Sequence, residues 1–304
     1  MQAAYLGIDV GGTASRWALV DAQGKVLGRG AAGGATAHVF NPVERNKLDA
    51  VLQAIAADAG QVAPITAARL GLTGFGDAVE TELKTLAAAR LGLATDDVAV
   101  TNDLDLAFHA TFQLGAGHLV SAGTGSIGLH IDAAGNTLRV GGRGLLIDDG
   151  GSGTWIALTA LDQLYRRIDE TGGAAEAGVL ADKLFAAMGG DDWDITKQYI
   201  YGSDRGRIGG LAQAVASAAD EGDPLALKVL SDAAGELARL AKALIGRGGA
   251  LPVAFIGGVI RLHPSIQSAL IAALPGVDIS FPQIDPALHA ANAARLAATQ
   301  RTTP

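Results

Sequence analysis

The feature that most limits what this chain can fold into is a glycine-rich strand-turn-strand unit that occurs twice. Residues 5–10 form a short apolar run carrying Asp9-Val10-Gly11-Gly12-Thr13 at its end, and a second run, 16–20, closes on the turn Asp21-Ala22-Gln23-Gly24. Further along, residues 119–121 lead into Ala122-Gly123-Thr124-Gly125-Ser126, a strand over 127–131 and the turn Asp132-Ala133-Ala134-Gly135. The pairs Thr13 and Thr124, Asp21 and Asp132, and Gly24 and Gly135 share one spacing of 111 residues. A constant offset across two such units predicts an internal repeat, two related halves that each contribute a glycine-rich hairpin.

The segments around the hairpins predict an α/β chain. A third strand over 26–32 and a helix over 43–59 follow the first hairpin, and strands 68–72 and 98–100 alternate with helices 78–91 and 104–112. The second half is richer in helix, with 153–167, 174–188, 208–219, 224–245, 264–273 and 286–299 as candidates and one strand, 252–256, among them. The expected boundary lies near 115–117. With 304 residues, 49% of them hydrophobic and 18% charged, there is material for two well-buried cores.

Composition narrows the function. A net charge of −8 gives no electrostatic reason to approach nucleic acid or an anionic membrane. Zero cysteines exclude disulfides, thiolate metal sites, cysteine nucleophiles and cysteine-held iron–sulfur clusters. The first basic residue is Arg16, Asp9 interrupts the first apolar run, and no apolar stretch is long enough to span a bilayer; the expectation is a cytoplasmic enzyme or regulator with a small-molecule partner.

Several segments have both a chemical and a plain structural use. In the first hairpin, Gly11, Gly12 and Thr13 can turn backbone N–H groups toward an anion, a phosphate cradle, while Asp9 is placed to accept from waters around Mg²⁺. The plain alternative is a turn that glycine permits. Gly123, Thr124, Gly125 and Ser126 offer the same chemistry from the second half. Neither hairpin has the spacing of GxGxxG or GxxxxGK[ST]. Gly257 and Gly258 follow a buried strand, where a purine can lie against bare backbone or a strand can simply turn. Asn102 and Asp103 follow the strand 98–100 and open a helix, so Asp103 is either a general base or a helix cap. Gly142, Arg143 and Asp149 frame a loop that can order itself around a polar ligand, or close on itself through an Arg143–Asp149 ion pair. The six histidines have no metal-ligand spacing, and His38 alone lies in a glycine-rich loop where it can meet substrate.

Taken in order, these segments resemble the BadF/BadG/BcrA/BcrD-type ATPase group, and within it the N-acetylglucosamine and glucosamine kinases. The likeness covers nearly the whole chain: Asp9 to Thr13, Asn102-Asp103, Gly123 to Ser126, Gly141 to Ser152, Gly222-Asp223-Pro224-Leu225 and Gly257-Gly258. The resemblance implies two ribonuclease-H-like domains of an actin/hexokinase-type ATPase fold, 1–115 with a returning helix in 286–304, and 116–285, with an interdomain cleft that takes ATP, Mg²⁺ and sugar. It implies Asp103 as the base for the 6-hydroxyl of an amino sugar, N-acetylglucosamine first and glucosamine next, with Gly257 and Gly258 against adenosine, Asn102, Gly142, Arg143 and Asp149 toward the sugar, and a homodimer; His38 joins the sugar side from its loop position alone. The sequence departs from related amino-sugar kinases in Ala35-Thr36-Ala37-His38, where an asparagine is common. Arg143 and Gly150 stand where the animal enzymes have tryptophan and glutamate, which points to the bacterial branch. An ATP-driven activator of a redox enzyme is the alternative; the absence of cysteine counts against its cluster. A sugar-responsive regulator would want a DNA-binding segment, and no basic stretch supplies one.

Overall fold

The computed structural model describes residues 3–302, and the chain divides into two compact units: residues up to 111 together with those from 284 onward, and residues 112–283. In the first unit, β1 (Ala4–Val10), β2 (Ala14–Asp21), β3 (Val26–Gly33), β4 (Ile65–Leu72) and β5 (Val98–Asn102) form one sheet in the order β3-β2-β1-β4-β5. β2 runs antiparallel to both neighbours, and β1, β4 and β5 are parallel.

Strand alternation divides the faces of β1. Ala4, Leu6, Ile8 and Val10 pack against α1 (Pro42–Val62) and α2 (Glu80–Leu91) through Leu48, Leu52, Ile55 and Leu83. Tyr5, Gly7 and Asp9 point the other way, toward α3 (Asp103–His109) and α11 (Pro286–Thr302). Gly7 is a fixed requirement, because a Cβ there would stand 1.9 Å from the carbonyl oxygen of Ala287. The alanine-rich α11 lies directly on the strand as a result.

The second unit repeats this plan. β6 (His118–Ala122), β7 (Ser126–Ile131), β8 (Thr137–Gly141), β9 (Val253–Ile256) and β10 (Ile279–Ser280) pair in the order β8-β7-β6-β9-β10, with β7 antiparallel to its neighbours and the other pairs parallel. Strand for strand this is the first sheet again, as the 111-residue offset predicts. Both units have the ribonuclease-H-like α/β arrangement expected of the sequence.

Between β8 and β9 the chain inserts α4 (Gly153–Thr171), α5 (Gly178–Met188), α6 (Trp193–Tyr201), α7 (Arg205–Gly210), α8 (Ala212–Asp220) and α9 (Pro224–Gly248), and α10 (Pro264–Ala273) follows β9. α9 begins at Asp223, whose buried carboxylate accepts from the N–H groups of Leu225 and Ala226 at 2.9 Å and of Leu180 at 3.0 Å. The Gly222 to Leu225 segment therefore works as a helix cap that also ties down α5. Among the described residues, no helix is long and apolar enough to cross a membrane.

The expected helix over 208–219 is two helices, broken after Gly209-Gly210, and that over 174–188 is a short 3-10 turn followed by α5 at Gly178, whose φ is +72°. The structure adds β8, β10, α6 and the N-terminal part of α7 to the expected elements.

Candidate functional site

In the first unit the carboxyl ends of β1, β4 and β5 bring the candidate chemistry together. Asp9 stands in register with Gly71, and Gly71 with Thr101, so Asp103, two residues beyond Thr101, falls at the same sheet edge. A Cβ on Gly71 would lie 3.2 Å from the Cα of Asp103, so β4 needs a glycine for α3 to begin there. Asn102 is the cap of α3: its side chain accepts from Leu104 N–H at 2.9 Å, and Asp103 shares that donor at 2.9 Å. The other oxygen of Asp103 accepts from the hydroxyl of Thr73, the residue that leaves β4. Thr73 is a functional candidate that sequence reasoning passed over, since a threonine after a strand carries no motif of its own.

The carboxylates here are electrostatically coupled. Burial first, then the charge of Asp103, pushes the pKa of Asp9 up to about 6; Arg16, its cross-strand partner, pulls it down, and Asp285 raises it further. Asp285 caps α11 by accepting from Leu288 N–H at 2.9 Å and pairs with Arg29. Such a concentration of negative charge favours a cation. Among the described residues no group of three His, Asp or Glu side chains is arranged to hold a metal. The arrangement suits Mg²⁺ held by one carboxylate, waters and a ligand's phosphates, since that ion keeps much of its hydration shell.

The first hairpin flanks this edge. Gly11 N–H bonds to Ala14 O at 3.2 Å, and Gly11 O accepts from Ala35 N–H at 3.1 Å, which fixes the turn and the loop after β3. Gly12 differs, because a Cβ there would meet no atom within 4 Å and its φ is not positive. The fold does not demand glycine at position 12, whereas close approach by a ligand would. The loop also carries His38 to this edge: its ring lies where a Cβ on Gly74 would be, 2.6 Å from Nε2, and Ala37 N–H bonds to Thr73 O at 2.8 Å. Asn41, close by, is used as the cap of α1.

The second unit presents an analogous construction. Gly123 N–H bonds to Gly125 O at 2.9 Å, Gly123 O accepts from Gly153 N–H at 2.8 Å, and Thr154 donates to Thr124 O at 2.8 Å, so the start of α4 holds the hairpin. Ser126 donates to Gly150 O at 2.7 Å. Gly123, like Gly12, has open space where a Cβ would be. Gly257 adjoins this hairpin; its φ is +105° and a Cβ would stand 2.2 Å from Ala122 O, so glycine is obligatory there, while a Cβ on Gly258 would touch nothing within 4 Å.

The loop over 141–152 behaves differently from the expectation. Arg143 pairs with Asp148 at 3.5 Å, not with Asp149, and most of its side chain is exposed. Gly142 is explained by packing, since its φ is +65° and a Cβ would lie 2.6 Å from Ile127. Asp149 is buried and pairs with Arg205, the first residue of α7, which stands in no motif. Burial raises the pKa of Asp149, opposed by the charge of Arg205.

An N-acetylmuramic acid/N-acetylglucosamine kinase of Clostridium acetobutylicum is 30% identical over 150 residues, 49% of this chain and 48% of that protein, so the match spans about half the length of that curated relative. A solved structure from Chromobacterium violaceum, described as a candidate N-acetylglucosamine kinase, is 25% identical with a TM-score of 0.69, covering 96% of this chain and 98% of that one. A ROK family glucokinase from Streptomyces griseus, solved with glucose and AMPPNP, shares the fold at a TM-score of 0.61 and 19% identity, over 96% of this chain and 99% of that one. A family model matches residues 6–294, and the chain accordingly belongs to the BadF/BadG/BcrA/BcrD ATPase family.

Proposed function

We propose that this protein is an ATP-dependent kinase that phosphorylates the 6-hydroxyl of an amino sugar, N-acetylglucosamine first and glucosamine next. The observation that carries the proposal is the meeting of Asp9 and Asp103 at one sheet edge, with Thr73 donating to Asp103 and the charges of the two carboxylates coupled. The relatives described as N-acetylglucosamine kinases support the substrate class.

Phosphoryl transfer to an alcohol needs a carboxylate to receive the hydroxyl proton, together with positioning and charge neutralisation of the moving group. Asp103 is the base, oriented by Thr73 and by its place at the start of α3. Asn102 and His38 belong to the sugar side. Gly12, Thr13, Thr124 and Gly125 face the phosphates of ATP, Gly11, Gly123 and Ser126 hold the two turns in shape through their internal hydrogen bonds, and Gly257 and Gly258 accommodate adenosine. Mg²⁺ near Asp9, reached through water, supplies charge neutralisation of the triphosphate when bound. Arg143, Gly142 and Asp149 lie toward the substrate in this reading, and each also has an internal use in the loop. A cytoplasmic homodimer is the expected setting.

The test is ADP release with Mg²⁺ and ATP in the presence of N-acetylglucosamine, glucosamine, N-acetylmuramic acid, N-acetylmannosamine or glucose. The reading requires release stimulated by an amino sugar and lost in Asp103→Asn with unchanged thermal stability. Release of equal rate without sugar, or full turnover by Asp103→Asn, would overturn it.

A further inference from the structure

The Asp149–Arg205 pair sits against the second hairpin. A Cβ on Gly125 would lie 3.1 Å from Asp149 Oδ1 and 3.2 Å from Arg205 Nη2, so both ends of the ion pair press on the middle of the turn. Asp149 also accepts a long bond, 3.5 Å, from Ser126 N–H. The start of α7 is bound to the same turn: Thr154 donates to Thr124 O at 2.8 Å and is 3.2 Å from Arg205 O.

The two partners differ sharply in exposure. The Asp149 side chain is 4% exposed and that of Arg205 48%. A guanidinium carries five N–H donors in a rigid fork, and a single carboxylate on one side leaves donors turned to solvent. A buried anion thus anchors a half-exposed cation at the mouth of a hairpin whose Gly123 has open space around its Cα.

We propose that Arg205 is a phosphate-binding residue, which donates from its outer N–H groups to the terminal phosphates of a nucleotide held at the second hairpin while Asp149 fixes its orientation. The proposal rests on the nucleotide-binding reading of that hairpin. Arginine suits the role because its planar fork matches phosphate oxygens pairwise.

The experiment titrates Mg²⁺-containing protein with mant-ADP and mant-adenosine, for wild type, Arg205→Gln and the double variant Asp149→Asn/Arg205→Gln. A charge-assisted contact predicts roughly 10–100-fold weaker mant-ADP binding in both variants, with mant-adenosine affinity held within about twofold. The double variant leaves no buried carboxylate without its cation, so it separates recognition from neutralisation. Recovery of mant-ADP affinity in the double variant would reduce Arg205 to a neutraliser of Asp149 and overturn the proposal. Equal weakening of both probes would also overturn it, by showing local distortion. Failure of wild type to bind either probe would remove the nucleotide reading itself, a result distinct from wild type and both variants binding mant-ADP alike.

Discussion

Replacing Asp9 by asparagine should stabilise the protein without its ligands, and increasingly so as pH rises. Asp9 titrates near 3.8 in an unfolded chain and near 6 in the folded one, because burial and then the charge of Asp103 disfavour its ionised form. A carboxyl group whose folded pKa is raised supports the fold below the unfolded value and loses that support as pH climbs through the folded value. At ~1.4 kcal/mol per pKa unit, ionised Asp9 costs the fold about 3 kcal/mol at pH 8. By the same relation the cost at pH 4.5 is about 1 kcal/mol. Asparagine keeps the shape and does not titrate, so its other effects enter as a pH-independent offset. The gap in unfolding free energy between Asp9→Asn and wild type should therefore widen by about 2 kcal/mol from pH 4.5 to pH 8. Urea unfolding followed by circular dichroism, in EDTA at half-unit pH steps, measures it. A gap that stays constant or narrows with rising pH would refute the burial argument. Under the proposed function the same variant loses Mg²⁺-dependent turnover, the stability cost of a charge kept for its ligand.

Three further outcomes follow from the geometry. Thr73→Val removes the hydroxyl that donates to Asp103 while keeping the side chain's shape, and kcat/KM for the sugar should fall by roughly 10–100-fold, the worth of a hydrogen bond to a charged group; steady-state kinetics on a variant with wild-type melting decides it. Gly12→Val should leave unfolding free energy within about 0.5 kcal/mol while weakening ATP binding at least tenfold, whereas Gly257→Ala, at φ +105° and against Ala122 O, should cost about 2–4 kcal/mol, as paired denaturant titrations and nucleotide binding will show. Asp223→Ala strands the N–H groups of Leu180, Leu225 and Ala226 and should lower unfolding free energy by about 2–4 kcal/mol, with no change in sugar specificity.

The fold was legible because its strongest signals are local and repeated. The two glycine hairpins at one offset marked a strand pair in each sheet, and Asp9 in the first apolar run marked where that strand ends. Position 137–141 escaped because β8 is short and half-exposed, and β10 has two residues held mainly by its neighbour. Gly206 hid the start of α7, and Gly209-Gly210, expected inside one helix over 208–219, end it instead; Asp204 caps it through Arg207 N–H. Asp9, Asn102 and Asp103 could be placed from sequence because strand ends define where a sheet edge lies. Thr73 and Arg205 could not, since their value lies in meeting Asp103 across 30 residues and Asp149 across 56. The expected Arg143–Asp149 contact failed by one residue, a difference that only the loop's path decides.

The packing of α11 on β1 also orders events during synthesis. The face of the first sheet that carries Tyr5, Val20 and Ala67 is covered by Ala291 and Ala294, which follow in the chain only after the second unit. On the ribosome, every strand of the second unit emerges before the first unit can be completed. The strands of the first unit therefore wait for their last partner with an apolar sheet face open, an interval in which that face is exposed to aggregation.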